Sequence, residues 1–238
     1  MMMYMPKVIS IASLKGGVGK TTLTVFLAQA LPKKILCIDL DHNNNLTDYF
    51  LRETDVEEIE SKSIAKAFTG SSLIQDCILK SPLGIDVIPT TPRLSKTMLS
   101  LSWDGGLQQR FRKSVHELGY DYILIDTPPA LCMEMNLGIF AADLVLSPVG
   151  YSRWNFQGFD EIKAVYDLAN QSLDNKIKIL AIRTMVSEKK SQAMEDLGVK
   201  FAKTFIPKSE SIATCVDMAK PLSEKNKSIF MELAKEIK

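Results

Sequence analysis

Four short runs, residues 8–12, 35–38, 122–125 and 144–146, are apolar without alternation. The first leads into a glycine-rich stretch, the second ends on Asp39, the third on Asp126 and the fourth near Pro148. A strand with one wet face alternates apolar and polar residues, whereas a parallel strand covered on both faces is apolar throughout. Further strand candidates lie at 85–88, 177–182 and 204–206. Between them apolar residues recur at helical spacing, first as Leu23, Phe26, Leu27, Ala30 and Leu31, then near 107–118, 156–170, 188–200 and 226–237. This alternation of strands and helices predicts an α/β fold. The expected architecture is a doubly wound, mostly parallel sheet with helices on both faces and ligands at the carboxyl ends of the strands.

A length of 238 residues with 46% hydrophobic content supplies one sizeable core, so a single domain over 1–238 is expected. No repeat, low-complexity tract or Pro/Gly/Ser-rich linker divides it. The acidic residues 53–60 read as a solvated helix or loop. Cys37, Cys77, Cys132 and Cys215 form no C-x-x-C pair, which fits the reduced thiols of a cytoplasmic protein. Met1-Met2-Met3-Tyr4-Met5 is too short for a signal segment, and no run approaches the roughly 20 apolar residues of a membrane helix. The net charge of +1 hides an uneven distribution. From Lys176 onward thirteen Lys and Arg face eight Asp and Glu, a net of +5 that leaves −4 for residues 1–175.

The chemistry starts at Lys15-Gly16-Gly17-Val18-Gly19-Lys20-Thr21-Thr22. A phosphate loop reads G-x-x-x-x-G-K-[ST]; Gly19, Lys20 and Thr21 satisfy its end, while Leu14 stands at the first glycine position and Lys15 is added. Glycines let backbone N–H groups turn toward phosphate oxygens, and the helix starting near Lys20 adds its positive end. Lys20 is expected to reach the β- and γ-phosphates of ATP. Thr21 is the expected magnesium ligand, and Asp126, ending an apolar strand, is expected to hold a water of that ion.

With Asp39-Leu40-Asp41, Asp126-Thr127-Pro128-Pro129, the run from Ala142 to Val149 and Phe205-Ile206-Pro207, the lysine-bearing loop resembles the ParA/MinD family of deviant Walker A ATPases. The likeness covers nearly the whole chain. Thr127-Pro128-Pro129 and the late Ile-Pro element are more similar to plasmid or chromosome partition ATPases of the ParA/Soj type than to the cell-division branch. The resemblance implies a weak, partner-stimulated ATPase that forms a sandwich homodimer on ATP. Lys15 would reach phosphates bound by the other subunit, Asp41 would orient the attacking water, and Asp39 would support the magnesium shell. Adenine would be bound around Ile206, Pro207 and Lys208. The resemblance also implies nonspecific DNA as a partner, held by Arg183, Lys189, Lys190, Lys203 and Lys208, together with a ParB-like stimulator and a cytoplasmic, nucleoid-associated location. The first strand begins too early to leave room for an N-terminal helix-turn-helix module.

The chain departs from the family after Asp41, where His42-Asn43-Asn44-Asn45 replaces Pro-Gln-Gly-Asn. Asn44 is the expected stand-in for glycine, because Asn tolerates left-handed backbone, and His42 reads as a solvated loop residue rather than a base. The alternative is a MinD-like membrane ATPase, for which Ile229, Phe230, Leu233, Ala234 and Ile237 would supply an amphipathic helix. Glu232 and Glu236 interrupt its basic face, which favours a core helix and no membrane partner. A metabolic ATPase of the cobyrinate amidase type lacks support in any appended glutaminase domain. A nitrogenase-reductase role lacks cluster cysteines. Trp154 is expected at a helix start near the dimer face, and Trp103 packed beside a turn.

Overall fold

The computed structural model describes residues 5–174 and 176–237. Residues 1–4, part of the segment read above as too short for a signal, lie outside the described residues. The chain runs β1 (Lys7–Ile11), α1 (Lys20–Ala30), β2 (Ile35–Asp39), α2 (Asn45–Leu51), α3 (Val56–Ser61) and α4 (Ile64–Phe68). It continues through β3 (Leu79–Lys80), β4 (Asp86–Ile88), α5 (Leu94–Ser100), α6 (Leu107–His116), β5 (Tyr122–Asp126), α7 (Met133–Ala141) and β6 (Leu144–Val149). The last part is α8 (Arg153–Gln171), β7 (Lys178–Val186), α9 (Glu188–Ala193), β8 (Ile206–Pro207), α10 (Glu210–Asp217) and α11 (Glu224–Glu236).

The strands form one sheet in the order β3-β4-β2-β5-β1-β6-β7-β8. Only the β3–β4 edge pair is antiparallel. This is the doubly wound architecture expected from the uninterrupted apolar runs, and the packing explains those runs. Val8, Leu36, Ile38, Ile123 and Ile125 face Ile64, Met98, Phe111 and Val115 on one side. Their neighbours Ile9, Cys37 and Leu124 face Leu23, Phe26, Leu27, Phe230 and Leu233 on the other. With both faces covered, the buried strand positions are mostly apolar, and the carboxylates Asp39 and Asp126 fall at strand ends.

The C-terminal helix belongs to this core. Phe230 and Leu233 are fully buried, with Ala234 and Ile237 nearly so, and the Phe230 ring lies 5.3 Å from that of Phe26 on α1. Each such side chain contributes about 1.5–3 kcal/mol by leaving water. The apolar face that could have bound a membrane is therefore spent inside the molecule. Among the described residues no helix is long and apolar enough to cross a bilayer.

Some elements differ from expectation. The helix anticipated over 188–200 stops at Ala193, and the chain turns through Gly198 at φ 68° before Phe201 bridges to Ala181. Helix α7 was not anticipated, because it buries Met135, Leu137, Ile139, Phe140 and Ala141 around its circumference and so has no periodicity to read. Gly138 brings this helix close to the sheet: a Cβ there would lie 2.6 Å from Thr127 Cγ2.

Candidate nucleotide site

The register of the central strands sets the site. Ile11 of β1 aligns with Asp126 of β5, which aligns with Asp39 of β2. Three adjacent strands thus end level, at the edge where ligands of doubly wound sheets bind.

From β1 the chain turns into α1 through Gly17 at φ 71° and Gly19 at φ 88°, conformations that cost a side-chain-bearing residue about 1–2 kcal/mol. Gly19 is the N-cap of α1, and no side chain caps this end or places an acid in its first turn. Its N–H groups are left available to an anion. Thr184 of β7 donates its Oγ1 proton to the Val18 carbonyl at 2.8 Å and so fixes the loop from behind. Lys20 is only 7% exposed, and its Nζ donates to the Lys15 carbonyl at 3.2 Å. Burial lowers its pKa, opposed by the charges of Asp126 and Asp41.

Above the loop lies a cavity of ≈ 560 Å³, of nucleotide size. Gly16, Gly17, Gly19, Lys20, Thr21 and Thr22 form its floor, and Asp41, Asn43 and Pro129 line it as well. Thr21 Oγ1 donates to Asp126 Oδ2 at 2.7 Å, and Thr24 Oγ1 to Asp126 Oδ1 at 3.2 Å. Asp39 accepts from the Asp41 N–H at 3.0 Å and from the Thr47 N–H and Oγ1 at 2.9 and 2.8 Å. Burial, then the charge of Asp126, pushes the Asp39 pKa up to about 8. Burial likewise raises Asp126 to about 6, against the hydrogen bond from Thr21 and the charge of Lys20.

Two buried carboxylates that resist ionisation, beside a cavity-facing hydroxyl, make a donor set that a hard cation would relieve. Among the described residues no three His, Cys, Asp or Glu side chains form a metal cage of their own. That matches magnesium, which takes one or two carboxylates plus phosphate oxygens and water. Asp41 accepts from the Asn43 N–H and Nδ2, both at 3.0 Å, at the cavity wall. Asn44 adopts φ 50°, the conformation expected of a glycine substitute. His42 stays partly exposed, its Nδ1 4.0 Å from Asp41.

Several expected residues lie elsewhere. Ile206, Pro207 and Lys208 are not among the described residues lining the cavity; Ile206 is in the core. Met185, Val216 and Asp217 supply the wall instead, with Asn45, Asp48 and Arg52 beyond them. Met185 reaches in because β7 and β8 lose register there and its backbone sits at φ 56°; its Cε lies 3.4 Å from where a Gly19 Cβ would be. Arg52 donates to the Asp217 carbonyl at 3.0 Å and pairs with Asp48. No sequence motif announced these residues.

Lys15 is not among the cavity-lining residues; its Nζ lies 5.8 Å from the Trp154 ring centroid. Trp154 does open a helix, α8, and is 63% exposed. Trp103, expected to pack beside its turn, is instead 94% exposed. The DNA set also needs correction. Arg183 is 5% exposed. It donates to the carbonyls of Ser191, Ala202 and Lys203 and to Glu195 Oε1 at 2.8 Å. Its charge is committed within the fold, so it does not reach an external phosphate. Lys189, Lys190, Lys203 and Lys208 are exposed.

The sequence profile of the AAA_31 family, an AAA domain, matches residues 6–179, from the first strand through α8. The chain is 26% identical over 231 residues to the chromosome partitioning protein ParA of Myxococcus xanthus, covering 91% of this chain and 80% of that one. The chain belongs to the ParA-type branch of this AAA domain family. Solved structures share the ParA-type fold. An ATP complex of a McdA variant from Cyanothece superposes with a TM-score of 0.85 at 22% identity, covering 98% and 96% of the two chains. Cobyrinic acid a,c-diamide synthase from Mycobacterium smegmatis, with ADP and magnesium bound, gives 0.82 at 21%, covering 98% and 94%. The fold is thus common to an ATP-binding McdA protein and a synthase.

Proposed function

We propose that this ParA-type protein is a partition ATPase that binds ATP with magnesium, pairs through the bound nucleotide and grips nonspecific DNA as a dimer until hydrolysis releases it. The observation that carries the reading is the separation of two lysines on one loop. Lys20 is buried at the cavity, and Lys15, half-buried, is not among the residues that line it. A second lysine with no phosphate of its own to serve is suited to a neighbour's.

The N–H groups of α1 and Lys20 hold the phosphates. Magnesium, when bound, would draw charge from the phosphates during transfer to water. Thr21 would hold it directly and Asp126 through a water, and Asp39 would support the magnesium shell from the next strand. Asp41 would orient the attacking water, a task of positioning rather than covalent chemistry. Lys189, Lys190, Lys203 and Lys208 would form the DNA-facing set, doubled on pairing. Because phosphate contacts act together, doubling them gives switch-like control of binding. A ParB-like protein is the proposed stimulator of hydrolysis, and the nucleoid the proposed location.

The test is sedimentation of the protein with nonspecific duplex in ATP, in ADP and without nucleotide. Binding confined to ATP supports the proposal; equal binding in all three sinks it.

A further inference from the structure

The turn from β6 into α8 presents two exposed aromatic rings, and each has a lysine over it. Trp154 lies beneath Lys15, and Tyr151 lies 5.5 Å from Lys190 Nζ. Tyr151 is 48% exposed. The turn is held from within. Ser152 caps α8 by accepting from the Asn155 N–H at 3.3 Å and its Nδ2 at 2.7 Å. Four residues after Trp154, α8 passes close to the phosphate loop at Gly158, where a Cβ would meet Leu14 Cβ in ordinary contact at 3.6 Å. α8 thus runs beside the loop that carries Lys15, with Trp154 in its first turn.

We infer that Trp154 is a positioning residue for Lys15, holding the ammonium on its own subunit until a nucleotide-loaded neighbour draws it away. This rests on the reading that Lys15 serves the neighbour's phosphate. An ammonium over an indole face is attracted by the ring quadrupole, and at an exposed site the contact changes an equilibrium about two- to five-fold. At 5.8 Å the contact is near the outer reach of such pairs, which places it at the lower end, about two-fold. Pairing removes one contact from each of two subunits, so the dimer is weakened by the square of that factor, about four-fold. Trp154 thus raises the protein concentration at which the nucleotide dimer forms.

Two measurements test this. The first uses the nucleotide-free protein carrying Trp103→Phe, which leaves Trp154 as the sole tryptophan; Trp103 is solvent-exposed and makes no core contact to lose. Lys15→Met in this background is expected to change the intensity or wavelength of Trp154 emission. Identical emission overturns the inference, whatever Lys15 does in a dimer.

The second follows dimerisation by analytical ultracentrifugation with a nonhydrolysable ATP analogue. Trp154→Leu, which keeps apolar bulk but no ring, is expected to dimerise about four-fold more tightly than wild type. Trp154→Phe should fall between, and Tyr151→Leu should match wild type. A Trp154→Leu dimer no tighter than wild type, or a Tyr151→Leu dimer equally strengthened, overturns the inference. If Lys15→Met itself dimerises normally, the neighbour-serving role of Lys15 fails, a result separate from the emission change.

Discussion

The level ends of β1, β2 and β5 and the segment from Glu188 to Lys208 would carry the two halves of the proposed cycle, and they are built in opposite ways. At the strand ends the functional groups are buried and held by named partners: Asp39 by Asp41 and Thr47, Asp126 by Thr21 and Thr24. In the later segment the lysines are exposed, on a helix of six residues and on the loops around it. Arg183 from the preceding β7 is buried against it and organises its backbone carbonyls. Phosphate transfer demands atoms fixed to within fractions of an ångström, whereas nonspecific DNA demands only charge at roughly the right place. The first region therefore depends on single residues and the second on their sum.

The sharpest way to expose that contrast is Lys20→Ala. Losing charge-assisted bonds to two phosphates is expected to weaken ATP binding on the order of a thousandfold by calorimetry. Next comes Arg183→Met, which leaves three carbonyls and Glu195 without their donor. Leaving the carbonyls unsatisfied is expected to cost about 3 kcal/mol and lower Tm by roughly 6–12 °C while leaving the salt dependence of DNA binding unchanged. An altered salt slope in a folded Arg183→Met protein would return this residue to the DNA surface.

The pH response is smaller. Asp39 and Asp126 titrate near 8 and 6 in the folded chain, above the usual carboxylate value of 3.8. Between about pH 4 and pH 8 the folded state then holds more protons than the unfolded state, so this pair makes the nucleotide-free protein less stable as pH rises. Thermal melts at several pH values should show a decline that Asp126→Asn flattens; an unchanged slope would mean that the pair ionises without strain. The smallest effect belongs to the other region. Replacing Lys189 or Lys190 by Gln should lower the log–log salt slope by only about one each, with modest loss of DNA affinity.

The same contrast decides what could be read in the sequence. The strands and the phosphate loop were legible because burial on both faces and left-handed turns restrict residue choice: uninterrupted Ile, Leu and Val in the one, Gly17 and Gly19 in the other. Helix α7 was not, since burial on all sides erases its period. Met185 enters the nucleotide cavity through a loss of strand register and a left-handed backbone, neither of which Thr-Met-Val announces. The adenine wall was sought at Ile206–Lys208 by likeness, and these residues are not among those lining the cavity. Arg183 looked like surface charge because composition cannot tell a cation that binds outward from one that ties carbonyls together.

Asp39 and Asp126 occupy one rung of the β2–β5 ladder. A chain that paired these strands one residue out of register would turn their side chains to opposite faces and part the two carboxylates proposed to serve the nucleotide's metal. Capture of nucleotide is thereby a certificate of correct assembly. A misfolded copy is silent rather than wrongly active, and the pool of molecules able to enter the cycle is the pool that has finished folding.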